Sequence, residues 1–179
     1  LLLALGAALA LCAGASATTV ENNFYEALTA TNGSIKLEND FAFENVMEVD
    51  NNLTIDLNGH VLTIPKSICV NSGAQLTIKD SGSNATHKFA PNSDGLWVLN
   101  ENGTKSVPGG VITGGTGYPI QFGSGANVYD AYYGGAVYIK SGGKLTMEGG
   151  NIVGCSAVYG GGVYVKHGAN FIMNDGIIS

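Results

Sequence analysis

Arginine is absent from this chain of 179 residues, and only 12% of the residues are charged. Fourteen acids against eight lysines leave a formal net charge of −6. A nucleic-acid partner is therefore not expected, because nothing supplies a row of phosphate contacts or a bidentate guanine readout. Cysteine is scarce too: three residues, of which Cys12 sits in the N-terminal apolar stretch. Cys69 and Cys155 fall at least two repeats apart in the register described next, roughly 10 Å or more along a stack of strands. That exceeds the ~7 Å that a disulfide tolerates between Cα atoms, so both are expected unpaired, as small hydrophobic residues. There is no C-x-x-C pair, and His60, His87 and His167 are isolated from one another. Neither a metal site nor a cofactor is expected. After residue 17 no apolar run is long enough to span a membrane.

Glycine, by contrast, is plentiful at 27 residues. Many of them fall in a repeat that is clearest over residues 134–179, where GGAVYIKSGGKLTMEGGNIVG is followed by GGGVYVKHGANFIMNDGIIS. Val137 aligns with Val163, Gly142 with Gly168, Met147 with Met173 and Ile152 with Ile178, at a constant offset of 26 residues. Self-similarity at such a period marks stacked repeats. Each repeat holds three short apolar runs (136–140, 144–148 and 151–153), long enough for strands and too short for stable helices. Val137 and Ile139 flank Tyr138, and Leu145 and Met147 flank Thr146, the period of two of a strand with one buried face. Glycine pairs at 142–143 and 149–150 punctuate the corners. Three strands and three corners per repeat describe an all-β, three-sided solenoid: a parallel β-helix whose equivalent strands pair roughly 4.8 Å apart.

The repeat reaches far back. Residues 68–82 (ICVNSGAQLTIKDSG) match 137–150 (VYIKSGGKLTMEGG) at a constant offset of 69, so LTID, LTIK, LTME and FIMN are four copies of one strand position. Before them, 35–37, 46–49, 53–57 and 60–64 read as strands, with Leu53, Ile55 and Leu57 inward, Thr54 and Asp56 outward, and Asn58-Gly59 at the corner. Two insertions break the period. Residues 80–95 read as a polar loop, within which 87–89 offers a short strand. An imperfect coil of 96–99, 104–107 and 111–113 is expected after it. The second insertion, 114–133, follows GGVITG at 109–114, the counterpart of GGNIVG at 149–154.

The N-terminus reads differently. Residues 1–17, LLLALGAALALCAGASA, form an apolar run ending in a small-x-small cleavage pattern, as in a truncated secretory signal peptide. A span would need a longer run, and Leu11 is too large for a lipoprotein site at Cys12. Residues 18–34 are expected as a capping helix, with Thr18 or Thr19 at its start and Val20, Phe24 and Leu28 on one face. The solenoid then occupies 35–179. Its last strand stops in mid-coil, so further coils or an anchor are expected C-terminal to Ser179.

With these residues in view, the chain resembles the pectin-lyase-like superfamily of right-handed parallel β-helices. The opening IKLENDF, LTIDLNGHVLTI and SGAQLTIKDSG is similar to that group, and GGAVYIKSGG and GGGVYVKHGA look like the GGA-I/V repeats of large bacterial cell-surface and adhesin proteins. The resemblance covers residues 20–179. It implies a right-handed coil but not one activity, since such folds serve both lyases and non-catalytic surface proteins. Polysaccharide lyases of the family use an Arg or Lys base and calcium held by clustered acids; this chain has no Arg. The acids Asp40, Asp50 and Asp56 are scattered, and outward acids stack with other residue types, Asp56 above Lys79 and Glu148 beside Asn174. The paired carboxylates of a glycoside hydrolase are missing. No catalytic residue is assigned.

Binding has more to recommend it. The second insertion, GGTGYPIQFGSGANVYDAYY, brings Tyr118, Phe122, Tyr129, Tyr132 and Tyr133 into one loop, with Gln121, Asn127 and Asp130 among them. Tyr159 lies at the equivalent corner one repeat on. Ring faces with nearby amides and a carboxylate suit stacking against sugar rings. Equally, the rings can fold the loop onto the wall and only cover it, since aromatics bury large areas. Tyr138 and Tyr164 form an outward pair on neighbouring coils. Thr54, Thr77 and Thr146 also recur outward, but T-x-T rows are absent and Ile172 interrupts the column, so strand propensity explains them. Asn32, Asn52, Asn84 and Asn102 each open an N-x-S/T sequon. The expectation is a secreted, cell-surface β-helix protein, non-catalytic in these residues, whose partners are glycans or a host or matrix surface. The alternatives are a polysaccharide lyase or glycoside hydrolase with its site beyond residue 179, and a structural stalk.

Overall fold

A computed structural model describes residues 24–179 apart from residue 83; the expected leader at 1–17 and the opening of the expected helix lie outside the described residues. The strands in chain order are β1 (Asn32–Lys36), β2 (Phe41–Ala42), β3 (Met47–Val49), β4 (Asn52–Asp56), β5 (Val61–Thr63), β6 (Ile68–Val70), β7 (Gln75–Lys79), β8 (Thr86–Pro91), β9 (Trp97–Leu99), β10 (Lys105–Pro108), β11 (Val111–Thr113), β12 (Tyr118–Phe122), β13 (Tyr129–Tyr133), β14 (Val137–Ile139), β15 (Lys144–Met147), β16 (Asn151–Ile152), β17 (Val163–Val165), β18 (Asn170–Met173) and β19 (Ile177–Ile178). The fold is all-β and dominated by three parallel sheets. In the first the order is β1-β4-β7-β15-β18, in the second β2-β5-β11-β16-β19, and in the third β3-β6-β14-β17. The chain visits the first, second and third sheet in turn and then returns to the first.

Register follows the sequence repeat. Val137 pairs with Val163 and also with Ile68; Leu53, Leu76, Leu145 and Phe171 form one inward column, and Ile55, Ile78, Met147 and Met173 the next. In the second sheet Leu62, Ile112, Ile152 and Ile178 do the same. These columns make up most of the main core. Stacking like on like lets each buried Leu or Ile contribute about 2 kcal/mol of burial while the parallel ladders satisfy the backbone.

Several expectations need correction. The helix covers 24–29 among the described residues, and β1 begins at Asn32, not at 35. Phe24 stacks on Phe41 at 4.9 Å and meets Phe43 edge-on at 5.9 Å. Gly33 stands in the leucine column, where a Cβ would strike the backbone of Ala27; its bareness admits the helix. Strand β2 escaped the sequence reading because two residues carry no alternation. The strands expected at 87–89, 96–99 and 104–107 are present as β8, β9 and β10, and the one at 111–113 is β11 of the second sheet, but the first three do not join the parallel stack. They form a three-stranded antiparallel sheet, β10-β8-β9. This sheet buries Phe89 and Val107 against Val111 and Val153, with Trp97 alongside. The loop 114–133 is likewise ordered, as an antiparallel hairpin of β12 and β13.

Asp56, expected outward and wet, is buried. Its Oδ1 accepts the backbone N–H of Ser81 at 2.9 Å and of Asn58 at 3.1 Å, and its Oδ2 lies 3.7 Å from Lys79 Nζ. Burial by itself would raise its pKa, but the Ser81 and Asn58 donors and the Lys79 charge prevail and hold it below the ordinary 3.8. A depressed folded pKa adds stability that is complete above about pH 4 and lost as the pH falls below it. The urea-midpoint gap between the wild type and Asp56→Asn is expected to stay constant from about pH 7 to 5 and to close from about pH 4 to 2. A gap unchanged at the lowest pH would refute this role.

Candidate functional site

The hairpin β12–β13 leaves the second sheet after β11 and returns to the third at β14, so it lies beside the outer face of the third sheet. Its base is sewn down. Gly117 N–H donates to Lys66 O, the Thr116 hydroxyl to Pro65 O, the Ser67 hydroxyl to Gly134 O, and Gly134 N–H to Tyr159 O. Antiparallel pairing sets Tyr118 opposite Tyr133, Ile120 opposite Ala131 and Phe122 opposite Tyr129. Alternation puts these six on one face of the hairpin, and Pro119, Gln121, Asp130 and Tyr132 on the other.

The first face meets the wall. Tyr118 stacks on Tyr138 at 5.1 Å, and Tyr133 reaches Tyr138 at 6.1 Å, Tyr164 at 4.8 Å and Tyr159 at 4.7 Å. The expected pair of Tyr138 and Tyr164 does stack, at 5.7 Å. Tyr138, however, is only 2% exposed, because the hairpin covers it. Burial, aided by neighbouring negative or phenolic groups, raises the pKa of Tyr118, Tyr133 and Tyr138 above the ordinary tyrosine value. Toward its tip the hairpin runs past the wall. There Phe122 and Tyr129 stack at 5.8 Å and stay 38% and 64% exposed, with Tyr159 at 49%.

The nine residues singled out from the sequence therefore divide. Tyr118 and Tyr133 anchor the hairpin. Phe122, Tyr129 and Tyr159 present ring faces to solvent. Gln121 and Asp130 pair across the far face, together with Tyr132, over which Lys66 Nζ sits at 5.6 Å. Asn127 lies in the tip turn, where its N–H donates to Ser124 O. Missed from the sequence was Lys140, whose Nζ lies 5.1 Å above Tyr118 and 3.9 Å from Glu48 Oε2. Only its position two residues after Tyr138 hinted at it. Exposed Val128 and Val158 extend the apolar rim.

Chemically this arrangement offers surfaces more than reactive groups. Asp130 is the sole acid between residues 118 and 133, and tyrosines with raised pKa stay protonated near neutrality. Cys69, beneath the hairpin in the same column as Tyr138, is free; burial and then the Glu48 charge push its thiol up to about 12. Cys155 is free as well, and burial raises it to about 11. Neither is a thiolate at neutral pH. Among the described residues, no group of three or more His, Cys, Asp or Glu is placed to hold a metal ion, and no helix is long and apolar enough to cross a membrane. The four sequon asparagines are all exposed. The chain matches no family model, no curated protein and no solved structure.

Proposed function

We propose that the three parallel sheets are the faces of a right-handed, three-sided parallel β-helix of the pectin-lyase-like kind, and that it belongs to a secreted cell-surface protein binding carbohydrate or matrix glycans. The fold reading draws support from the cyclic visiting order of the sheets and from columns of like residues at the spacing of the repeat. The observation that carries the functional reading is the hairpin tip. Phe122, Tyr129 and Tyr159 hold exposed ring faces on a base fixed by Tyr118 and Tyr133. A pyranose presents an apolar C–H face to such rings, and its hydroxyls face outward to water or to polar side chains. Fixing the rings beforehand lowers the entropic cost of binding.

A structural stalk is the second reading. It is favoured by the burial of Tyr138 and by the consumption of two hairpin tyrosines in sealing the wall. A glycan array of the whole chain against Tyr129→Ala/Tyr159→Ala separates the two, because both residues are exposed and their removal keeps the Tyr118–Tyr138 stack and the contacts of Tyr133 with Tyr138 and Tyr164. Glycan binding predicts a signal that falls about tenfold per ring, about 1.4 kcal/mol each, at a melting temperature lowered only by the lost stack of Tyr159 on Tyr133. An array without signal removes the glycan reading and leaves the stalk.

A further inference from the structure

Six of the eight tyrosines gather around the hairpin. Tyr133 is the hub: its ring meets Tyr159 at 4.7 Å, Tyr164 at 4.8 Å and Tyr138 at 6.1 Å. Tyr138 in turn stacks on Tyr118 at 5.1 Å and on Tyr164 at 5.7 Å. Tyr129 stands apart, joined to Tyr133 through the ring of Phe122, at 5.8 Å and 6.4 Å. Tyr118, Tyr133, Tyr138, Tyr159 and Tyr164 are thus in ring contact without a break. Phenylalanine would cover the wall as well, so cover alone does not account for five hydroxyls. What the phenols add is a ring that can give up an electron.

The group runs from the inside of the protein to its surface. Tyr138 is 2% exposed and is the register partner of the buried thiol Cys69, whereas Tyr159 is 49% exposed. A phenol that has lost an electron is a strong acid and has to release its proton. Burial, which raises the pKa of Tyr118, Tyr133 and Tyr138, opposes that release. At Tyr159 water takes the proton. Electrons pass between touching rings far faster than two protein molecules meet. A vacancy formed anywhere in the group therefore settles at Tyr159 before any coupling occurs.

We propose that the tyrosine group collects one-electron oxidising equivalents and delivers them to Tyr159, which is a site of oxidative cross-linking to Tyr159 of a second copy. The co-substrate is a peroxide acting through a haem peroxidase. Each phenol loses one electron and one proton. The two phenoxyl radicals join by a C–C bond between ring carbons ortho to oxygen. The hydrogens on those carbons then move to the oxygens, which restores two phenols as a dityrosine. The two electrons and two protons released convert one hydrogen peroxide to two waters. This activity goes beyond glycan binding and needs no sugar.

The test is photo-oxidation of the whole chain with tris(bipyridine)ruthenium(II) and persulfate, which takes up the same two electrons. Mass spectrometry then maps cross-links and oxidised residues. Tyr25 is the internal standard, because it is also 49% exposed but its ring neighbour is Phe43, which is not oxidised. Dityrosine through Tyr159 is expected severalfold above that through Tyr25, with Tyr118 and Tyr138 unmodified. Tyr133→Phe keeps the ring and its contacts while removing the oxidisable hydroxyl at the hub. It is expected to lower coupling at Tyr159 to the Tyr25 level and to leave oxidation products at Tyr118, Tyr138 or Cys69. Tyr164→Phe leaves the route from Tyr138 through Tyr133 to Tyr159 unbroken and is expected to preserve the outlet. Equal coupling at Tyr25 and Tyr159, an absence of dityrosine, or a Tyr133→Phe map identical to that of the wild type would each overturn the proposal. So would a Tyr164→Phe variant that loses the outlet as fully as Tyr133→Phe.

Discussion

Replacing Gly135 by alanine is expected to remove most of the stability of the fold, about 4 kcal/mol or more. Gly135 follows directly on the hairpin and opens the return to β14. A Cβ there would lie within the carbonyl oxygen of Gly161 in the next repeat and 2.8 Å from the Ser156 amide nitrogen. All of these are backbone atoms held by ladder bonds, among them Gly135 N–H to Gly160 O at 3.0 Å. No rotamer change can yield the room, so two repeats must separate. Urea unfolding of Gly135→Ala decides it. A midpoint equal to that of the wild type would show that the two repeats are not packed as described.

The sequence could be read only so far: glycine pairs mark the corners alike, and only the packing shows that Gly135 lies against the Gly161 carbonyl of the next repeat. The parallel pairing was legible because inward residues recur as like types at fixed offsets, Leu76 with Leu145 and Ile68 with Val137. The antiparallel sheet was not, because Trp97–Leu99 and Lys105–Pro108 alternate in the same way whichever direction their partner runs. What settles their pairing is the burial of Phe89 on Val111 and Val153, a long-range contact without a local signal. The aromatic residues of the hairpin could be counted in the sequence but not sorted. The pairing of Tyr118 with Tyr133, and the bridge from Tyr133 to Tyr159, decide which rings meet the wall and which overhang it. A slip of one residue would have exchanged the two faces.

Asp80→Ala is expected to cost about 3 kcal/mol and to loosen the second sheet first. By sequence Asp80 is the opening residue of a polar insertion, and its counterpart in the next repeat is Gly149. In the fold its carboxylate fastens two repeats together. Oδ1 accepts the N–H of Gly59 at 2.6 Å and of Gly82 at 3.3 Å, while Oδ2 accepts that of Gly110 at 2.7 Å. Gly59 belongs to the corner leading into β5 and Gly110 to the one leading into β11, and those strands are parallel neighbours. Between Asp80 and Gly110 the chain makes its whole antiparallel excursion, so this carboxylate closes the base of the insertion. Gly59 and Gly110 are both buried; without their acceptor, neither amide can turn to water unless the corner opens. Asp80→Asn spares little, because its NH₂ group opposes N–H donors that had shared both oxygens. Hydrogen exchange should show the Gly59 and Gly110 amides losing protection in both variants while β14 and β17 keep theirs. If protection at Gly59 and Gly110 is retained, the carboxylate does not hold these corners, and the insertion must be fixed by its apolar contacts with Val111 and Val153 alone.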